Sequence, residues 1–407
     1  MLRVRAFQGL YPAPPYVEEV ACVPYDVVNR EEARALAEGK SRSLLHVDRA
    51  EIGLPPECDP YSEQVYATAK RNFEGLQMSA VLAREAAPCC YIYRQRLGTH
   101  EQLGVAAVCH IDDYDANLIK RHEKTRRDKE DDRTRLIGTL GANTGPVFLT
   151  YRGTTDVNRQ VAATASTNAP LYDFVAPDGV QHTVWRVNAA GALTEAFSRV
   201  PAAYVADGHH RTASAVHVGR ERRAANPHHT GDEDYNWFLA VLFPAEQLKV
   251  LSYNRAVQDL NGFTEQAFLE RVQGAFEVQA AASPDPTRAG DIRMYLRGGW
   301  YALAWRPQDS AAPIDRLDVT GLQDRLLAPV LGIDDPRTSQ RIQFVGGIRG
   351  TDALVALVDG GEAAVAFSMY PTSVEQMMEI ADAGEFMPPK STWFEPKLRS
   401  GLFIHTF

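Results

Sequence analysis

Apolar positions along the chain follow two periods, and the switches between them mark out the elements. Val65, Ala69, Phe73 and Leu76 recur every three to four residues and predict a helix over 62–84. Phe268, Leu269, Val272 and Phe276 predict a second, and Leu322, Leu326, Leu327, Val330 and Leu331 a third. Short apolar or alternating runs at 89–97, 102–111, 146–151, 182–187, 202–206 and 237–243 read as strands. The most apolar of them, FLAVLF at 238–243, is ended by Pro244; it is far too short to span a bilayer and reads as a buried strand. Two hairpins are expected around glycine pairs, one joining 294–296 to 301–305 across Gly298 and Gly299, the other joining 354–358 to 363–368 across Gly360 and Gly361. Asn29 with Glu32, and Ser373 with Gln376, have the spacing of capping boxes that start short helices. Strands and helices alternate irregularly, so an α+β fold with a mixed sheet is expected. Changes of character place boundaries at 1–88, 89–260 and 261–407, the last region ending in a tail rich in Pro, Lys and aromatics.

A chain of 407 residues with 45% hydrophobic content can bury a sizeable core and form two or three domains. Its net charge of −9 denies it the broad positive field of a non-specific nucleic-acid binder, so no nucleic-acid partner is expected. The five cysteines are odd in number and lack a Cys-x-x-Cys pair, which points to reduced thiols rather than disulfides or a zinc site. The opening MLRVRAFQGLYPAPP has no unbroken apolar stretch and is not a signal peptide. A cytoplasmic protein without a membrane partner is expected; the sequence leaves room for a homo-oligomer.

The sharpest chemical feature is YVADGHHRTAS at 204–214. An apolar strand runs into Asp207, Gly208, His209, His210 and Arg211, and a helix-compatible run starts at Thr212. Gly208 permits a tight turn, and the following helix start offers N–H groups and a positive dipole end. Imidazole and guanidinium donors around the same point would complete a phosphate cradle. An ordinary βα turn with exposed histidines is the bland alternative. No Walker loop and no H-E-x-x-H zinc motif occurs, and no metal ligand set is assigned. A second segment, 121–135, has twelve charged residues among fifteen, which a solvated helix face would mostly explain. His122 and Glu123 stand apart, just after an apolar run. A carboxylate there could take a proton from an alcohol, and Arg126 and Arg133 could neutralise a substrate anion. Asn143, ahead of a buried strand, could donate to a ligand. In the tail, Lys390 could reach phosphates while Trp393 and Phe394 exclude water; a domain-docking role fits that tail equally well.

VPYDVV (23–28), HEKTRRDKEDDR (122–133), ANTGPVFLTY (142–151), YVADGHHRTAS, NWFLAVLFP (236–244) and MPPKSTWFEPKLRSG (387–401) together resemble a widespread bacterial family, domain of unknown function 1015. The likeness runs along essentially the whole chain. The family is similar to the ParB/sulfiredoxin fold, in which a strand–turn–helix binds nucleotide phosphates, and this implies a ParB/sulfiredoxin-like nucleotide-binding core over 89–260. Proteins of that fold include kinases that phosphorylate free L-serine to O-phospho-L-serine. The resemblance therefore implies ATP as phosphoryl donor, Mg2+, and catalytic roles for Glu123 as base with Asp207 and His210. It implies phosphate binding by Gly208, His209, His210, Arg211 and Thr212, and substrate binding by His122, Arg126, Arg133, Asn143 and Lys390. Sulfiredoxins carry a catalytic cysteine in this turn; His209 stands there instead, so that chemistry is not expected. Two other readings stay open: a ParB-like nucleotide-binding regulatory module, and a kinase with another small acceptor or another donor.

Overall fold

In the computed structural model, which describes residues 1–307 and 312–407, the apolar run at 238–243 lies near the middle of a buried sheet. The chain divides into two units. The first comprises Met1–Arg121, Thr125–Leu248 and Pro396–Phe407; the second comprises His122–Lys124 and Lys249–Glu395.

The first unit is built on one nine-stranded sheet. Its strands are β1 (Val4–Arg5), β2 (Cys90–Leu97), β3 (His100–His110), β4 (Ile119–Lys120), β5 (Val147–Tyr151), β6 (Tyr172–Val175), β7 (Gln181–Val187), β8 (Ala203–Asp207) and β9 (Trp237–Pro244). They lie in the order β4-β8-β5-β9-β3-β2-β7-β6, with β1 paired to β3. The β8/β4 and β9/β5 pairs are parallel and the others antiparallel, so the sheet is mixed and the fold is α+β. Strands buried on both faces need no polar alternation, which is why 147–151 and 238–243 read as continuous apolar runs.

Helices α1 (Arg30–Ala37), α2 (Glu63–Met78), α3 (Ile111–Asp115), α4 (Arg127–Leu140), α5 (Thr155–Thr167), α6 (Gly191–Ser198) and α7 (His209–Ala225) belong to this unit. The capping box of α1 is complete: Glu32 N–H donates to Asn29 Oδ1 and Asn29 N–H to Glu32 Oε2, both at 2.8 Å. Val157 and Val161 of α5, Leu193 and Phe197 of α6 and Val216 of α7 pack into the core beside Leu149, Val205 and Leu242 of the sheet. Helix α2 buries Val65, Ala69, Phe73 and Leu76 as the periodicity predicts, but it stops at Met78. Ala80 turns left-handed (φ 57°) and Leu82–Arg84 pairs instead with Leu10–Pro12. The terminal segment is tied in: Leu10 and Ile404 exchange backbone hydrogen bonds of 2.9 Å, and His405 pairs with Asn143.

The second unit carries a six-stranded antiparallel sheet of β10 (Tyr253–Val257), β11 (Glu277–Ala281), β12 (Asp291–Leu296), β13 (Gly299–Ala304), β14 (Ile342–Gly346) and β15 (Val365–Ser368). The order is β11-β13-β12-β15-β10-β14. Its helices are α8 (Glu265–Ala275), α9 (Asp318–Leu322), α10 (Asp352–Asp359) and α11 (Val374–Asp382). The expected hairpin across Gly298 is present as β12/β13. The one expected across Gly360 is not: 352–359 is helix α10, and β15 pairs with β10 and β12. A short run that is apolar almost throughout fits strand and helix alike, and packing decides. Leu354 and Val358, one helical turn apart, fill a small core with Ala256, Tyr295, Val345 and Ala366. Among the described residues, no helix is long and apolar enough to cross a membrane.

Candidate active site

The turn at 207–211 is built by a strand that ends in a bulge and a helix that starts without a cap. The register of β8 on β5 shifts between Val205 and Asp207, which re-aims the last residue of the strand. Gly208 follows in the left-handed region (φ 91°, ψ 35°), and α7 begins at His209. An ideal Cβ on Gly208 would lie 3.0 Å from the Arg211 guanidinium carbon, so a side chain here would be strained in its backbone and would push on Arg211. No side chain caps α7, and its first turn holds no acidic residue. The start of this 17-residue helix carries the positive end of its dipole, which favours an anion there.

Arg211 is buried beneath this turn. Its Nη1 donates to the Pro146 carbonyl and its Nη2 to Asp207 Oδ2 at 2.9 Å, with Asp26 Oδ2 at 3.7 Å. Burial opposes the guanidinium charge, but the Asp26 and Asp207 carboxylates outweigh it and hold the pKa above the ordinary value. Lys397 Nζ stands 3.5 Å from the other Asp207 oxygen. Thr212 is fully buried and its hydroxyl donates to the Gly208 carbonyl at 3.0 Å, locking the turn. His210 Nε2 accepts from the Arg126 N–H at 3.0 Å, which joins the start of α4 to the start of α7. Ser214 Oγ, one turn on, donates to the Glu130 carbonyl at 3.0 Å and continues that seam.

Under Arg211 lies a cavity of about 30 Å³, walled by Tyr25, Asp48, Arg133, Thr144 and Ser400 among others. A water needs roughly 10–15 Å³ of such space, so the cavity suits one or two waters rather than a substrate. The buried Arg211 Nε has no acceptor among the described residues. Arg133 is held by Asp132 at 2.7 Å and by the Asp48 carbonyl at 3.0 Å, and stacks 4.2 Å from the centre of the Tyr25 ring. Asp48 accepts from Thr144 Oγ1 at 2.6 Å; burial raises its pKa, against the pull of Thr144 and of Arg133 and Arg211.

The residues singled out from the sequence divide between the two units. Asp207, Gly208, His209, His210, Arg211, Thr212, Arg126, Arg133 and Asn143 lie in the first; His122, Glu123 and Lys390 lie in the second. Arg126 is exposed and paired with Asp128 at 2.9 Å, whereas Arg133 is half-buried and Asn143 buried, the Asn143 Oδ1 accepting from Leu239 N–H at 3.3 Å. In the second unit, the buried His122 has its Nε2 hydrogen-bonded to Thr392 Oγ1 at 3.2 Å. Lys390 adopts a left-handed backbone (φ 56°) and its carbonyl accepts from the buried Arg255 at 3.2 Å. Sequence reasoning passed over Asp48. An ionisable residue closing the apolar run Leu44-Leu45-His46-Val47 was the available signal, since such a residue is buried only with partners.

No curated protein matches the sequence. Among solved structures, a free serine kinase in complex with AMP is similar at 14% identity, over 73% of this chain and 91% of its own, with a TM-score of 0.39. A free serine kinase variant in complex with ADP gives 14%, 73%, 91% and 0.37. SbnI with a C-terminal truncation, from Staphylococcus aureus, gives 12%, 72%, 85% and 0.38. The model of one family, described as protein of unknown function DUF1015, matches residues 4–320, well over half of the chain, and this protein belongs to that family.

Proposed function

We propose that this protein is a phosphotransferase that moves the terminal phosphoryl group of ATP to the hydroxyl of free L-serine, giving ADP, O-phospho-L-serine and a proton. The observation that carries the reading is the uncapped start of α7 behind Gly208, with no acidic residue in its first turn and the buried Arg211 fixed beneath it. Such a helix start is a ready seat for phosphate oxygens. His209 and His210 add ring donors, and Asp207 orients Arg211. Phosphoryl transfer asks for positioning and charge neutralisation more than for covalent chemistry, which is what these groups supply. The proposed catalytic core spans 89–260. The resemblance assigns the base to Glu123, which would take the proton of the serine hydroxyl as the O–P bond forms, and contacts to the acceptor to His122, Arg126, Arg133, Asn143 and Lys390. Magnesium enters as part of the nucleotide substrate. The Asp207 carboxylate is shared between Arg211 and Lys397, so it offers no pre-set metal cage.

The test is a screen of phosphoryl donors and hydroxylated acceptors with the purified protein, read by product mass. ATP with serine is expected to give phosphoserine, and Glu123→Gln is expected to lower the turnover at least a hundredfold, on the order of a general base's contribution. No turnover with any donor–acceptor pair, or full turnover in Glu123→Gln, would count against the proposal.

A further inference from the structure

A second, larger cavity of about 190 Å³ lies in the first unit along one face of α7. Ala213 and Val216 form its floor. They follow His210 by three and six residues, so the floor continues from the first turn of the helix. Thr125, which also lines it, precedes the residue whose N–H is bound to His210. One end of the cavity therefore adjoins the proposed phosphate seat.

The lining is strongly polar and carries both signs of charge. Asp115 and Arg220 are ion-paired to each other, and His217 pairs with Glu221 at 3.3 Å. Two charges remain. Arg121 has no carboxylate partner among the described residues. Its Nη1 donates to Tyr114 Oη at 3.1 Å and its guanidinium lies 4.8 Å from the centre of that ring, so the group is held in place with its other donors unused. Glu130 accepts from Thr125 Oγ1 at 2.8 Å through Oε2, and its Oε1 has no hydrogen-bond partner among the described residues. A positioned cation and an available carboxylate oxygen in one cavity are the complement of a zwitterion. A nucleobase would need a more apolar slot, and an inorganic anion would leave Glu130 facing like charge.

We infer that this cavity seats a free α-amino acid, its carboxylate on Arg121, its ammonium on Glu130, and its side chain running along α7 toward His210. As the acceptor subsite the inference rests on the phosphotransferase reading; as an amino-acid site it does not. The space, several times the roughly 10–15 Å³ that one water needs, admits a ligand of serine's size.

The experiment is direct calorimetric titration of L-serine, L-alanine, inorganic phosphate and ATP into the full-length protein and into Arg121→Met and Glu130→Gln. Arg121 is exposed and Glu130 half-buried on a helix surface, so both variants are expected to fold, which thermal melting checks. Serine is expected to bind the wild type, and each variant to weaken it by roughly tenfold or more, the usual effect of losing one charged hydrogen bond. Nucleotide affinity is expected to change less than about threefold. Serine binding that is absent in the wild type, or unmoved by both substitutions, overturns the subsite, as does phosphate taking Arg121 in preference to either amino acid. Failure of ATP to bind sinks the kinase reading and leaves the amino-acid site standing, because serine is measured without it.

Discussion

Gly208 is the residue on which the proposed site turns. Its backbone is left-handed, and a Cβ there would press against the Arg211 guanidinium at 3.0 Å. Gly208→Ala is expected to cost roughly 1–3 kcal/mol of stability, through backbone strain and displacement of Arg211. It should also weaken nucleotide binding at least tenfold. Urea unfolding and nucleotide titration on the same preparation check both; an unchanged midpoint with unchanged affinity contradicts the account. The turn was legible because a glycine followed by two histidines and an arginine has few structural uses. The groups beneath it were not. Arg211 reads as a phosphate donor in sequence, yet its guanidinium is mostly engaged by Asp26, Asp207 and the Pro146 carbonyl. Asp48 gave no sign of standing near it, because contacts between residues so distant in sequence leave no local periodicity.

At the scale of elements, start signals were read well and the identity of short apolar runs was not. Both capping boxes exist, that of α11 with Gln376 N–H donating to Ser373 Oγ at 3.1 Å and the reciprocal bond at 3.0 Å. Ser373→Ala should therefore cost about 1 kcal/mol, measured by chemical unfolding. The run at 354–358 was expected as a strand and lies within helix α10, since tertiary packing of Leu354 and Val358 overrides a pattern that suits either state. The residue starting α9 gives a pH-dependent prediction. Burial pushes Asp318 up to about 6, against the hydrogen bonds from Trp305 Nε1 and Gly290 N–H, both at 2.8 Å. Its folded pKa thus exceeds the unfolded value of about 3.9. The stability linked to it is complete below that unfolded value and is lost as pH rises through about 6. A rise of that size corresponds to ~3 kcal/mol. Asp318→Asn should remove that fall, so the difference in unfolding free energy between wild type and variant should change from about pH 4 to about pH 7; a constant difference contradicts the assignment.

For the whole molecule, composition bounded the chemistry before any element was placed. A net charge of −9 predicts that duplex DNA titrated at low salt gives no shift in a gel, and a salt-sensitive shift would favour the regulatory-module reading instead. The mixed α+β character was visible in the irregular succession of strands and helices. The strand order was not, because β8, β5 and β9 are brought side by side by long connections that local patterns do not encode. The central claim is that the start of α7 holds nucleotide phosphates, and one comparison tests it most directly: calorimetric affinities of ATP, tripolyphosphate and adenosine for the wild type and for His209→Asn. The account predicts that ATP and tripolyphosphate compete for one site, that adenosine binds at least a hundredfold more weakly, and that His209→Asn weakens both phosphate ligands by roughly tenfold. Adenosine binding as tightly as ATP, or phosphate binding indifferent to His209→Asn, would contradict it.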